Sequence, residues 1–208
     1  MLIKFKELIK KHDISPCSIL HIGAHIGEEV EDYSSNGFFP VYWVEGSQKT
    51  FKILCQNIKK YNHNYAIKSI VSNKVNKKYH FYCASNAQSS SILKPLKHLD
   101  SHKEITFNKV DICYSDTIDN LFKKNKIGIC NFINLDIQGA ELLALKGAKE
   151  YLKKVKYIYS EINVTELYEN CAMLDEMDAY LEMLQFSRVE TCLNDYGWGD
   201  ALWIKETI

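Results

Sequence analysis

The sequence has no excess of charge of either sign. Lys plus Arg and Asp plus Glu each number 26. A general nucleic-acid binder normally carries a basic surplus, so that class is not expected. Long apolar runs are missing too, and none approaches the roughly 20 residues of a membrane span. At the N-terminus, Leu2, Ile3, Phe5, Leu8 and Ile9 alternate with Lys4, Lys6, Lys10 and Lys11. That is an amphipathic helix within residues 1–14 rather than the unbroken apolar core of a signal peptide. Its basic face leaves a membrane-surface role open; packing on the domain is the expectation. The seven cysteines, at 17, 55, 83, 113, 130, 171 and 192, include no C-x-x-C pair. An odd count without that spacing matches neither a disulfide framework nor a zinc site. Most sit among apolar residues, so buried, reduced thiols in a cytoplasmic protein are expected. There is no internal repeat and no low-complexity linker.

What is present fits one domain spanning residues 1–208. Of these residues, 46% are hydrophobic, enough for a sizeable core. Short apolar runs alternate with helical patterns. Strands are expected at 17–22, 41–45, 65–71, 131–137 and 155–162. Phe51, Leu54, Cys55 and Ile58 place a 3.6-period stripe on a helix over 47–61. Leu174, Met177, Leu181 and Leu184 do the same further on. Segments 186–193 and 201–205, joined through Asp195-Tyr196-Gly197-Trp198-Gly199, read as a closing hairpin. Repeated strand–helix–strand order implies an α/β fold, a Rossmann-like, mostly parallel sheet with helices on both faces. Residues 77–116 break the rhythm and are expected to be an insertion covering the active site.

Open α/β sheets bind ligands at the carboxyl ends of their strands. Four such ends carry candidate chemistry. The first is His21-Ile22-Gly23-Ala24-His25-Ile26-Gly27, a strand–helix turn flanked by two glycines. Its G-x-x-x-G spacing is not the G-x-G-x-x-G that holds a dinucleotide pyrophosphate. A cofactor without phosphate, such as S-adenosylmethionine, needs only this looser turn. The turn is equally compatible with a purely structural role. The second end is Glu45-Gly46, 22 residues after Gly23, where a carboxylate can accept from both hydroxyls of a ribose. The third is Asp136-Ile137-Gln138-Gly139-Ala140-Glu141, a carboxylate on top of an apolar strand, a glycine turn and a second carboxylate. A buried acid there is costly without partners. The fourth is Glu161 with Asn163. Asp136 and Glu161 fall on neighbouring strands, where two carboxylates can share a divalent cation or divide into base and orienting group. A capping Asp and a plain polar rim are the structural alternatives.

Seven stretches resemble the FkbM family of methyltransferases: "ILHIGAHIGEEVEDY", "VYWVEGS", "SSSIL", "SDTIDNL", "NFINLDIQGAELLALKGA", "YSEINVTELYE" and "WGDALWIK". They occur in the family's order and cover nearly all of the chain beyond the N-terminal helix. The D-x-x-G-A-E turn followed by L-K-G-A is the most specific. The resemblance implies a class I methyltransferase fold with a seven-stranded sheet. It also implies S-adenosylmethionine as cofactor and methyl transfer to a hydroxyl, often of a sugar or polyketide. Carried over, it makes His21, Gly23, Ala24, His25, Gly27, Glu45, Gly46, Val71, Ser72 and Asp136 the cofactor contacts. Asp136, with Glu161 and Glu141, becomes the catalytic set. In a magnesium-assisted version, Asp136, Glu161 and Asn163 would hold the metal. Gln88 to Ser91 could close over substrate or cofactor. The first motif departs from the pattern, because His21 and His25 stand where the family has an acidic residue and Asn. The change removes a carboxylate that would meet the cofactor's amino group. Tyr168, Tyr196 and Trp198 could form a sugar platform, with packing expected for two of the three. Rival readings are a nucleotide-dependent oxidoreductase and a non-catalytic binding module that keeps the fold.

Overall fold

The computed structural model describes residues 2–206; Met1, Thr207 and Ile208 of the expected domain lie outside the described residues. The chain begins with α1 (Phe5–Lys11), which buries Phe5 and Leu8. Next come β1 (Ile19–Ile22), α2 (Val30–Ser35), β2 (Val41–Glu45), α3 (Gln48–Ile58) and β3 (Asn64–Lys68). The segment expected as one strand over 65–71 is split after Lys68, and β4 (Ile70–Val71) leaves the main sheet. Then follow β5 (Lys78–Cys83), α4 (His98–Ser101), β6 (Lys109–Asp116), α5 (Ile118–Asn125) and β7 (Phe132–Leu135). The chain finishes with α6 (Glu141–Lys146), β8 (Tyr157–Asn163), α7 (Leu174–Glu182), β9 (Phe186–Leu193) and β10 (Trp198–Lys205).

Seven strands form one sheet in the order β3-β2-β1-β7-β8-β10-β9. Every pairing up to β8 is parallel, and only β10 runs against its neighbours. Strands covered on both faces read as continuous apolar runs, and β1, β7 and β8 are buried throughout. One face packs Leu20, Ile22, Ile133, Leu135, Ile158 and Trp203 against α5, α6 and α7. The other packs Ile19, Trp43, Phe132 and Tyr159 against α1, α2 and α3. Strand order reverses between β1 and β7, so their carboxyl ends flank the crevice where such sheets bind ligands. A Cβ on Gly23 would sit 1.7 Å from the Asp136 carbonyl oxygen, and its φ is +88°. Only glycine lets the two strand ends approach this closely.

Residues 77–116 build most of a second sheet, β4-β6-β5. Its connecting segments lie over the crevice. Among the described residues no helix is long and apolar enough to cross a membrane. The seven cysteines are all free; Cys130 and Cys171 are buried and the other five only partly so. The expectation of general thiol burial is corrected accordingly, because several of these cysteines lie on half-covered elements such as β5, β6 and β9.

Candidate active site

Two connected cavities open at the carboxyl edge of the main sheet. The larger holds about 480 Å³ and is walled by His21, Ala24, Glu28, Glu29, Asp136, Gln138, Glu161 and Trp198, with Asn86, Gln88, Ser89, His98 and His102 arching over it. The smaller is a narrow cleft of about 60 Å³ between Ile70, Val71, Phe81, Ile92, Ile137 and Ala140, with Glu45 and Gly46 at its rim. Gly23, His25, Gln88 and Asp136 border both.

The β1 turn is wound tightly. Gly23 and Ala24 donate their N–H groups to the Val44 carbonyl at 2.9 and 3.0 Å. His25 takes a left-handed backbone at φ +45°, a conformation that Asn and His tolerate better than most side chains. His21 is buried, stacks on Trp43 and has Nδ1 3.2 Å from the Tyr33 hydroxyl. Burial pushes its pKa down, so it is neutral. Glu45 receives the His25 N–H on Oε2 at 2.8 Å and the Ser47 N–H on Oε1 at 2.6 Å. These bonds fix the carboxylate beside the cleft, while burial raises its pKa.

The β7 turn holds the acids differently. Gln138, at φ +56°, donates one amide hydrogen to Asp136 Oδ1 at 2.9 Å and one to Glu161 Oε2 at 2.7 Å. The Tyr168 hydroxyl lies 3.0 Å from Gln138 Oε1 and 2.9 Å from the Ser89 carbonyl. Ser91 Oγ donates to the Gln138 carbonyl at 2.7 Å. The covering loop, the turn and the two carboxylates are thus one network. Burial, then the charge of Asp136, holds the Glu161 carboxyl well above the usual carboxylate range. Two carboxylates bridged by one amide resist joint ionisation.

Several expected site residues are placed elsewhere. Glu141 turns back and accepts from the N–H groups of Ile137 and Gly139 at 2.8 and 3.2 Å. It shapes the turn and borders neither cavity. Gly27 packs toward Leu54 and Ile58. Ser72 is fully buried, with Oγ 2.6 Å from the Tyr79 hydroxyl. Asn163 is buried, has no hydrogen-bond partner for its amide among the described residues, and borders neither cavity. The metal trio is therefore not assembled. The Gln138 amide bonds both Asp136 and Glu161, and among the described residues no three His, Cys, Asp or Glu side chains converge on a metal position. Magnesium does not fit this donor set. Of the three aromatics, Trp198 borders the larger cavity, Tyr168 is buried packing and Tyr196 is exposed beside His102. Gln138, Glu28, His98 and His102 line the cavity without having been singled out. The left-handed turn preceding Gly139 was the only local hint for Gln138.

A seven-stranded, mostly parallel sheet with one reversed strand near its edge and a crevice at the β1/β7 reversal is the class I methyltransferase fold. Solved structures agree at the level of fold. Magnesium protoporphyrin IX methyltransferase (ChlM) from Synechocystis PCC 6803 with bound S-adenosylmethionine superposes with a TM-score of 0.56 at 10% identity, covering 97% of this chain and 76% of that one. TrmK from M. capricolum, in complex with S-adenosyl-homocysteine, gives 0.55 at 12%, covering 99% and 70%. The profile of the methyltransferase FkbM domain matches residues 21–188, and the chain belongs to the FkbM methyltransferase family. A 2-O-methyltransferase, NoeI, of Sinorhizobium fredii (strain NBRC 101917 / NGR234) is 31% identical over 104 residues. That match covers 48% of this chain and 43% of the relative, less than half of the relative's length.

Proposed function

We propose that this chain is an S-adenosylmethionine-dependent O-methyltransferase acting on a hydroxyl of a sugar or another small molecule. The observation that carries the reading is the Asp136–Gln138–Glu161 bridge beside a cavity continuous with an apolar, carboxylate-rimmed cleft. The donor set fits the cofactor. Ile70, Val71, Phe81 and Ile137 suit a purine face, and Glu45 suits the ribose hydroxyls. When bound, S-adenosylmethionine supplies an electrophilic methyl carbon and a neutral thioether leaving group.

The chain's own part is alignment, exclusion of water and proton removal. A sugar hydroxyl is a very weak acid, so its proton needs a receiving group. Asp136 is that group, with Oδ1 already fixed by Gln138. Glu161 keeps its own proton and the same amide fixes its position. Among the described residues the cavity wall has no Lys or Arg, but it has Glu28, Glu29, Asp136 and Glu161. That electrostatic lining favours a neutral polyol over a phosphate-bearing acceptor or nucleic acid. The relative described as a 2-O-methyltransferase points the same way. Seven free thiols suit a reducing compartment such as the cytoplasm.

Incubation with methyl-labelled cofactor and a panel of neutral glycans tests the reading. Label is expected on a glycan hydroxyl, and Asp136→Asn is expected to abolish it. A thermal shift with NAD, and none with S-adenosylmethionine or S-adenosyl-homocysteine, would overturn the cofactor assignment in favour of an oxidoreductase.

A further inference from the structure

We infer that the carboxylate receiving the ammonium group of the cofactor's methionine end is Glu28, on the turn into α2, rather than a group at the end of β1. The inference rests on the S-adenosylmethionine reading above. An ammonium brought into a partly enclosed cavity loses water and needs an anion or acceptors in return. His21, at the end of β1, cannot supply the anion. It is buried against Trp43 and Tyr33 and uncharged.

Four other carboxylates near the crevice are already engaged by the protein. Both oxygens of Glu45 accept backbone N–H groups at the cleft rim. Asp136 and Glu161 share the Gln138 amide. Glu141 is folded into its turn.

Glu28 remains. It lines the larger cavity beside Ala24 and His25, and its side chain is 41% exposed. Its Oε1 accepts from His25 Nδ1 at 2.6 Å and from Gln88 Nε2 at 3.3 Å. The first bond ties it to the glycine turn and the second to the covering loop. The carboxylate is therefore held in the wall of the larger cavity by two residues, His25 and Gln88, that border both cavities. Partial burial pushes its pKa up, but the hydrogen bonds from His25 and Gln88 outweigh this and hold it at about 2. It is fully anionic at any physiological pH. The left-handed backbone of His25 brings its ring back over the turn toward Glu28. The two histidines thus acquire separate roles. His21 fills the core below the site, and His25 positions the carboxylate that replaces the one missing from β1.

Calorimetric titration of S-adenosyl-homocysteine and 5′-methylthioadenosine tests this, because the second ligand lacks the amino-acid end. Wild type, Glu28→Gln and Glu29→Gln are compared. Glu29 is the control, since its Oε2 lies 4.0 Å from His21 Nδ1 in the same wall. Glu28→Gln is expected to weaken S-adenosyl-homocysteine about 10- to 100-fold, the loss of one charge-assisted bond, and to leave methylthioadenosine within twofold. Unchanged S-adenosyl-homocysteine binding by Glu28→Gln overturns the inference. So does a loss that follows Glu29→Gln instead, or an equal loss of both ligands in a variant whose thermal unfolding matches wild type. Wild-type protein that binds neither ligand overturns the cofactor reading itself, and the inference falls with it.

Discussion

The turns leaving β1 and β7 stand side by side at one edge of the sheet, yet they handle charge in opposite ways. In the β1 turn the strand carries a buried neutral histidine, His21, one residue before its end; one carboxylate, Glu45, comes from β2, and the other, Glu28, lies three residues after His25. In the β7 turn the acids are intrinsic: Asp136 opens it and Glu141 closes it on its own N–H groups. One turn takes a carboxylate from the neighbouring strand, and the other carries both of its acids within itself. The difference teaches which half of a site a motif can reveal. Spacing exposes a local arrangement, and it is silent about a borrowed one.

Gly23 is where the two turns touch. Gly23→Ala would drive a methyl into the Asp136 carbonyl at a left-handed φ. It is expected to cost about 3–4 kcal/mol or to prevent folding, read by denaturant unfolding. An ordinary stability would mean that the strand ends can separate. Removing the intrinsic acid acts on chemistry alone. Asp136→Asn is expected to lower methyl transfer by about 10²–10⁴-fold while S-adenosyl-homocysteine affinity stays within about threefold. Comparable loss of both would place Asp136 with the cofactor instead.

The closing acid of the β7 turn gives a pH signature. Burial raises the Glu141 carboxyl from 4.5 to about 7. The folded state then holds a proton that the unfolded state has released. Its contribution to stability is fully present below pH 4.5 and is lost as pH rises through about 7. Glu141→Gln is expected to flatten that fall in a series of unfolding curves between those pH values. An unchanged slope would show that other groups set it.

Gly27 should give the smallest effect. Gly27 itself is at positive φ and faces Leu54 and Ile58, so Gly27→Ala is expected to cost about 1–2 kcal/mol and leave cofactor affinity within about twofold. A tenfold loss of affinity would return Gly27 to the cofactor site.

The strand ends that carry Glu45, Asp136 and Glu161 were legible because each acid follows a continuous apolar run, and buried parallel strands produce such runs. The seven-stranded sheet and its hairpin followed from alternation and from the family resemblance. Three placements were not legible. Glu141 reads as a rim carboxylate, and its inward turn depends on two N–H groups within five residues. Ser72 follows a strand end, but the chain leaves the main sheet at Ile70 and carries Ser72 to Tyr79. Gln138 reads as a spacer in D-x-x-G-A-E, yet it spans two strands.

By itself the sequence determined the alternation of elements and the family of the chain. These depend on near neighbours, on periodicity and on local backbone geometry. Tertiary structure alone decided that Gln138 meets Glu161, that Ser91 and Tyr168 lock onto the β7 turn, and that His21 is neutral while Glu28 is charged. Those outcomes depend on strand order and burial, which bring together residues far apart in the chain and set the cost of leaving each one ionised.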